Sequence, residues 1–236
     1  MADPYDLWYW PDIPGRGEFV RLALEAGAIP YRDRAREEGS KALVQDMATR
    51  KGQPPFAPPY LVAGELCIAQ TADILLFLDD RHTLGPDDPD QRWFAHQLQL
   101  TIADMVAEAH HVHHPVSPSH YYKDQKDEAS RAADAFRDER MPKFLGYFES
   151  VLSDGGPWLT GKSWSYVDLS LFHLAEGLSY AFPRRMKALA GKIPLALALR
   201  DRVAALPELS SYLASDRRIP FNENGIFRHY PELDGD

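Results

Sequence analysis

The chain has 236 residues, room for one large domain or two modest ones, and 44% of them are apolar, enough to bury a sizeable core. Its 26 Lys and Arg against 35 Asp and Glu leave a net charge of −9, which argues against nucleic acid or an anionic membrane as the main partner, since both need a basic footprint. The single cysteine, Cys67, excludes an internal disulfide and a cysteine-built zinc site, and no apolar run approaches the roughly 18 residues of a membrane span. Met1 to Trp10 is acidic and aromatic, without the regions of a signal peptide, so a cytoplasmic protein is expected.

Residues 5–9 are aromatic-rich and read as a strand, and the two prolines and two glycines between Pro11 and Gly17 force a turn. From Glu18 to Ala26 the period becomes helical, with Phe19, Leu22, Ala23 and Ala26 on one face and Gly27 placed to end it. A strand over Ile29 to Asp33 follows, and strand–helix–strand with short links predicts a parallel crossover. Ser40 is a plausible cap for a helix to Arg50, the proline-rich stretch Gln53 to Pro59 excludes regular structure, and residues 60–62 and 65–69 read as a hairpin turning at Ala63-Gly64. Thr71 opens another helix that buries Ile74, Leu75 and Leu78.

Residues 1–80 are therefore expected to form an α/β unit in βαβ-αββα order, residues 81–90 a polar linker, and residues 91–236 an all-α domain with an irregular tail from Ile219. The predicted helices of the second part run over 91–114, 123–153 with a kink at Pro142, 166–180, 194–206 and 207–215. The tail carries Phe, Ile and Tyr and is expected to pack on the body.

Four segments carry a resemblance. Leu7 to Leu22 (LWYWPDIPGRGEFVRL) resembles the first strand, turn and helix of tyrosine-type cytosolic glutathione transferases. Pro58-Pro59-Tyr60-Leu61 is similar to that family's cis-proline strand, Ile68 to Ile74 to its glutathione-binding turn, and Gly161 to Leu169 to the helix-capping signature of its second domain. The matches span both halves in order, though the turn from Tyr9 to Gly15 is one residue longer than the family pattern. The resemblance implies a thioredoxin-like front domain holding glutathione, an all-helical rear domain holding an electrophile, a homodimer, and a detoxification role with no metal.

The chemistry sets the requirement. A thiol of pKa about 8.5 must be held as thiolate, and lowering that pKa by roughly two units takes about 2.7 kcal/mol of anion stabilisation. A hydrogen bond to a charged acceptor supplies about 1.5–3 kcal/mol, so one hydroxyl beside a helix N-terminus suffices. Tyr9 is the candidate hydroxyl, placed where the resemblance puts the catalytic tyrosine; residue type alone reads it as one more core aromatic beside Tyr5, Trp8 and Trp10. A cis bond before Pro59 would turn the Tyr60 backbone toward the cysteinyl amide.

Gln70 and Thr71 start a helix whose free N–H groups suit the γ-glutamyl carboxylate, and Thr71 also serves as an ordinary cap. Lys51 and Gln53 either hold the glycine carboxylate or are solvated loop residues. Asp104 is either a surface acid or, as the resemblance implies, the group that reaches the partner subunit's glutathione. Ser165 and Asp168 read as a capping box, a structural feature.

The electrophile pocket is expected near Ile13, His110, His113 and Tyr121, between the two parts. His110, His111, His113 and His114 share a helix end; the dipole explains them better than zinc, because no His-Glu-x-x-His motif is present. Cys67 is expected buried and inert. Two further readings stay open: a non-catalytic carrier of glutathione or apolar ligands with the same fold, and a glutathione-dependent isomerase or peroxidase.

Overall fold

Four short strands form one mixed sheet in the computed structural model, which describes residues 3–235. Strand β1 (Tyr5–Trp8) runs parallel to β2 (Tyr31–Asp33) and antiparallel to β3 (Tyr60–Ala63), which pairs with β4 (Leu66–Ala69), giving the order β2-β1-β3-β4. Parallel neighbours need a crossover, and α1 (Gly15–Ala26) provides it, burying Phe19, Leu22 and Ala23 against Leu7 and Leu61 in one apolar cluster. Gly27 ends α1 at an ordinary right-handed φ of −79°; a side chain there would meet Ile29 and Leu84 at 2.9 Å, so close approach rather than a left-handed cap explains the glycine.

The helix expected from Ser40 to Arg50 is α3 (Ser40–Thr49), and a short helix the sequence did not indicate, α2 (Arg34–Glu38), precedes it across Gly39, at φ +88°. Gly39 takes the cap position, and Ser40 is already helical. The hairpin turns one residue later than its sequence indicates: Ala63 pairs with Leu66, leaving Gly64, at φ +63°, and Glu65 as the two-residue turn. Helix α4 (Thr71–His82) then packs on α1.

The second part is helical throughout. Helix α5 (Pro89–Val112) starts where the Asp88 carboxylate accepts the N–H groups of Asp90 and Gln91 at 2.9 and 3.0 Å. The connection to α4 is thus shorter than the expected linker. The long helix predicted over 123–153 is interrupted: α6 (Lys126–Ala135), a wide π-helical turn at Phe136–Arg140, then α7 (Met141–Gly155). Pro142 has no N–H to donate and its ring crowds the preceding turn, and the wider turn relieves that conflict without a break.

Helix α8 (Tyr166–Ala181) is the core of this half, buried on nearly every side. Its start is fixed by Asp168, whose carboxylate accepts the Leu159 and Ser165 N–H groups and the Ser165 hydroxyl, each at 2.8 Å. Helix α9 (Pro183–Leu189), which the apolar spacing did not reveal, precedes α10 (Pro194–Ala204) and α11 (Pro207–Leu213). The tail packs back through buried Ile226, Phe227 and Leu233, and Phe227 approaches so closely that a side chain at Gly177 would lie 2.3 Å from it. Among the described residues no helix is long and apolar enough to cross a membrane.

Candidate active site at the open end of the sheet

Strand register gathers the first candidates. Trp8 pairs with Tyr60, and Tyr60 with Ala69. One further step along each antiparallel ladder places Tyr9 beside Pro59, and Pro59 beside Gln70. Both α1 and α4 begin at this same end, so unpaired N–H groups and two positive dipole ends converge on it. Such a place suits a thiolate and a carboxylate together.

Tyr9 is 4% exposed, and its phenol oxygen accepts the Arg16 N–H at 2.9 Å. The turn wraps the ring tightly: a Cβ on Gly15 would stand 2.2 Å from the Tyr9 oxygen, and one on Gly17 would stand 2.6 Å from the ring. Gly15 also sits at φ +42°, which a side chain would strain. Burial pushes the Tyr9 phenol up, opposed by the Arg16 N–H and by the Arg16 and Arg21 charges, so the group is protonated at neutral pH. With a lone pair already engaged by the backbone, the hydrogen on the oxygen is what Tyr9 has left to give. It is a neutral donor, suited to an anion and unsuited to act as a base.

Arg16 is the residue that sequence reasoning missed. Among the described residues its guanidinium has no carboxylate partner, and its charge acts on both Tyr9 and His110. Its place between two glycines at a helix start was the available signal.

The peptide bond between Pro58 and Pro59 is cis. Tyr60, however, lies between β1 and β4 and is fully buried, with its hydroxyl donating to Asp46 at 2.7 Å. Its backbone is flanked by strands on both sides, which corrects the expectation that it offers an open edge. The first backbone group beyond the ladder is at Pro58, which has a carbonyl to offer and no N–H.

Gln70 is an exposed, non-glycine residue at φ +67° that starts α4 without a side-chain cap. Strain of this kind is retained where the surroundings impose it, commonly at ligand sites. Thr71 is not the cap; its hydroxyl is enclosed and bonds to nothing among the described residues, so the α4 N–H groups are the open donors. Lys51, Gln53 and Asp104 are all exposed.

Toward the second part, His113 donates through Nε2 to the Ile226 carbonyl at 2.7 Å, and its Nδ1 meets that of His114 at 2.5 Å. His110 stacks on His114 at 5.1 Å and meets His113 edge-on at the same distance. Burial, with help from the Arg16 and Arg228 charges, holds His110 down to about 4, and burial holds His113 down to about 3, so both are neutral. Both His113 nitrogens are spent, one on His114 and one on the Ile226 carbonyl, and among the described residues no group of three or more His, Cys, Asp or Glu is placed to hold a metal.

The tail crosses this surface. Asn222 donates to the Asp12 carbonyl at 2.8 Å, and a Cβ on Gly225 would lie 3.9 Å from Ile13. Ile13 and His113 thus meet the tail at neighbouring positions, Gly225 and Ile226, and His110 lies against His113. Tyr121 does not join them: it is 74% exposed beneath the Lys123 ammonium. Its neighbour Tyr122 is the buried one, stacked at 3.9 Å on Tyr230, which in turn meets His113 at 6.2 Å. Cys67 is half-buried rather than buried, and burial pushes its thiol up.

Residues 110–216 match the family model "Glutathione S-transferase, C-terminal domain". The glutathione S-transferase of Plasmodium falciparum is 23% identical over 91% of this chain and 97% of its own. Hematopoietic prostaglandin D synthase of Gallus gallus is 27% identical over 89% and 94% of the two chains. The solved pi-class glutathione S-transferase of Onchocerca volvulus superimposes with a TM-score of 0.71 at 20% identity, over 94% of this chain and 99% of that one. By the family-model match residues 110–216 belong to the glutathione S-transferase family, and the whole chain is similar to its cytosolic members. Its fold is the one expected from the sequence, a thioredoxin-like α/β unit followed by an all-α part.

Proposed function

We propose that this member of the family binds glutathione at the open end of the sheet, ionises its thiol, and adds the thiolate to small electrophiles. The observation that carries the reading is the Tyr9 phenol, fixed through its oxygen by the Arg16 N–H and left with a hydrogen to donate. The thiol proton leaves to solvent; the sulfur lone pair then forms the carbon–sulfur bond as the leaving group departs with its electrons. Tyr9 stabilises the anion throughout, and the unpaired Arg16 guanidinium adds charge beside it.

The γ-glutamyl carboxylate is assigned to the N–H groups of Thr71 and its neighbours, with Gln70 at the rim. Pro58 and Pro59 border the cysteinyl portion, and Lys51 and Gln53 are the groups proposed for the glycine carboxylate. The electrophile is placed among Ile13, His110 and His113 under the tail. No metal takes part, and a cytoplasmic setting fits a protein with one cysteine and this family membership.

The functional unit is proposed to be a homodimer in which Asp104 reaches the partner subunit's glutathione. Supporting it, Phe56 projects from the proline-rich loop at 93% exposure, and a groove of about 510 Å³ between α4 and α5, lined by Ile68, Leu76, Phe77, Pro89 and Trp93, offers a place for an aromatic ring of a second copy.

The test is conjugation of an activated chloronitrobenzene to glutathione, with Tyr9→Phe as control. Wild-type turnover that drops in Tyr9→Phe is expected; a wild type that binds glutathione without conjugating any electrophile contradicts the reading and favours a carrier. Glutathione-dependent isomerisation is the second reading, favoured by the relative named hematopoietic prostaglandin D synthase, because the same thiolate would initiate it.

A further inference from the structure

His173 lies in the middle of α8, 158 positions from the turn it touches. Its ring is fully buried, edge-on to Phe19 at 4.7 Å, stacked on Phe221 at 5.4 Å and edge-on to Phe227 at 5.9 Å. Nε2 stands 3.1 Å from the Gly15 carbonyl oxygen. A carbonyl only accepts, so Nε2 carries the ring hydrogen and Nδ1 the lone pair. The charges that act on the ring are those of Arg218 and Arg21, both of which face the buried Glu18 carboxylate at 4.0 and 3.6 Å. Burial above all keeps the imidazole neutral, so it donates one hydrogen and bears no charge.

The Gly15 carbonyl and the Arg16 N–H belong to one peptide unit, and that unit is planar. His173 therefore holds one side of the plane while the other side presents its N–H to the Tyr9 oxygen at 2.9 Å. The hold matters because Gly15 is a glycine at φ +42°, the residue and region with the least conformational guidance of their own. A hydrogen bond to the carbonyl also polarises the N–H across the same amide, strengthening its bond to the phenol. The sheet-bearing half does not supply this anchor; α8 of the helical half does, backed by Phe221 and Phe227 of the tail.

We propose that His173 is a positioning residue for thiolate formation: it fixes and polarises the Gly15–Arg16 peptide, and that peptide sets the Tyr9 hydroxyl. The inference rests on the thiolate reading of the site. It separates from it experimentally, because His173 is fully buried against Phe221 and Phe227 and its one hydrogen bond goes to the Gly15 carbonyl.

The measurement is the ultraviolet titration of the glutathione thiol bound to wild type, His173→Phe, His173→Gln, Tyr9→Phe and the Tyr9→Phe/His173→Phe double variant. In His173→Phe, thiolate at neutral pH is expected to fall by about threefold to tenfold with little change in the KM for glutathione. His173→Gln, which keeps an N–H donor, restores most of it, and the Tyr9→Phe background shows no further effect of the second change. Should the Phe variant not fold, His173→Asn, too short to reach the carbonyl, is expected to show the same loss. A wild-type titration in His173→Phe, or an equal loss with Tyr9 already removed, overturns the positioning role while leaving the thiolate reading in place. A wild type whose bound thiol titrates as it does in water overturns both.

Discussion

Tyr9 shows how much a single residue depends on its neighbours. A tyrosine at the end of an aromatic strand is ordinarily core, and Tyr9 is indeed buried; what distinguishes it is a backbone donor on its oxygen and two glycines that make room for its ring. A hydrogen bond to an anion of about 1.5–3 kcal/mol predicts that Tyr9→Phe lowers kcat/KM for conjugation by about 10- to 150-fold. Steady-state rates with the folded variant check it. Gly15→Ala places a carbon 2.2 Å from the phenol oxygen in a left-handed backbone, so a stability loss of about 1–3 kcal/mol is expected, with thiolate formation impaired as in Tyr9→Phe. Chemical denaturation and thiol titration measure the two effects separately.

Only part of this arrangement is legible in the sequence. Tyr9, Pro59 and Gln70 stand out as candidates because a family motif surrounds each. Arg16 and His173 were not, since a surface-type arginine and a helix histidine carry no signal until folding places them against the same peptide. Tyr60 and Tyr121 were misjudged for a common reason: strand neighbours and loop direction decide which group of a residue is available.

Elements report the same division. Periodicity gave the helices that face one core, such as α1, α4 and α5, because their apolar stripes are one-sided. It did not show the five-residue α2 that ends at Gly39, nor that the irregularity expected at Pro142 takes the form of a widened turn over residues 136–140. Helix α9 was missed because seven residues hold too few turns to show a period. The start of α8 was readable from Ser165 and Asp168, but the Leu159 N–H bonded to the same carboxylate was not, being distant in the sequence pattern.

Asp168→Ala leaves two buried N–H groups unpaired, at about 1–3 kcal/mol each. An unfolding-temperature drop of roughly 4–24 °C is expected, by the usual 2–4 °C per kcal/mol for a chain of this size, with glutathione affinity of the folded fraction retained. Calorimetry and binding on the same sample check both halves. A large loss of affinity without loss of stability contradicts the structural assignment.

Buried histidines make the whole molecule sensitive to acid. His110 is held down to about 4, and His113 and His173 to about 3, each chiefly by burial. Unfolded histidine titrates near 6.5, so between these values the unfolded chain binds more protons and stability falls as pH falls. The contribution is complete above about 6.5 and is lost progressively below it. Asp168, pushed up to about 6 by burial, works in the opposite sense below that pH, so the clean window is above it. From pH 7.5 to 6 a loss of about 2 kcal/mol is expected from the three histidines together, read as a lower urea midpoint. An unchanged midpoint contradicts it.

Assembly belongs to this scale as well. Phe56→Glu puts a charge where the proposed dimer buries a ring, so sedimentation is expected to show dimer for the wild type and monomer for the variant. The fold was legible at this scale because both halves keep their own apolar periodicities. The candidate site was less so, because its residues come from the first turn, α5, α8 and the tail.

The most direct measurement is the ionisation of glutathione bound beside Tyr9, followed by thiolate absorbance as pH is varied, in wild type and in Tyr9→Phe. It predicts a bound thiol with a pKa roughly two units below the usual 8.5 in wild type, returning most of the way in Tyr9→Phe. Identical titrations in the two proteins would contradict it.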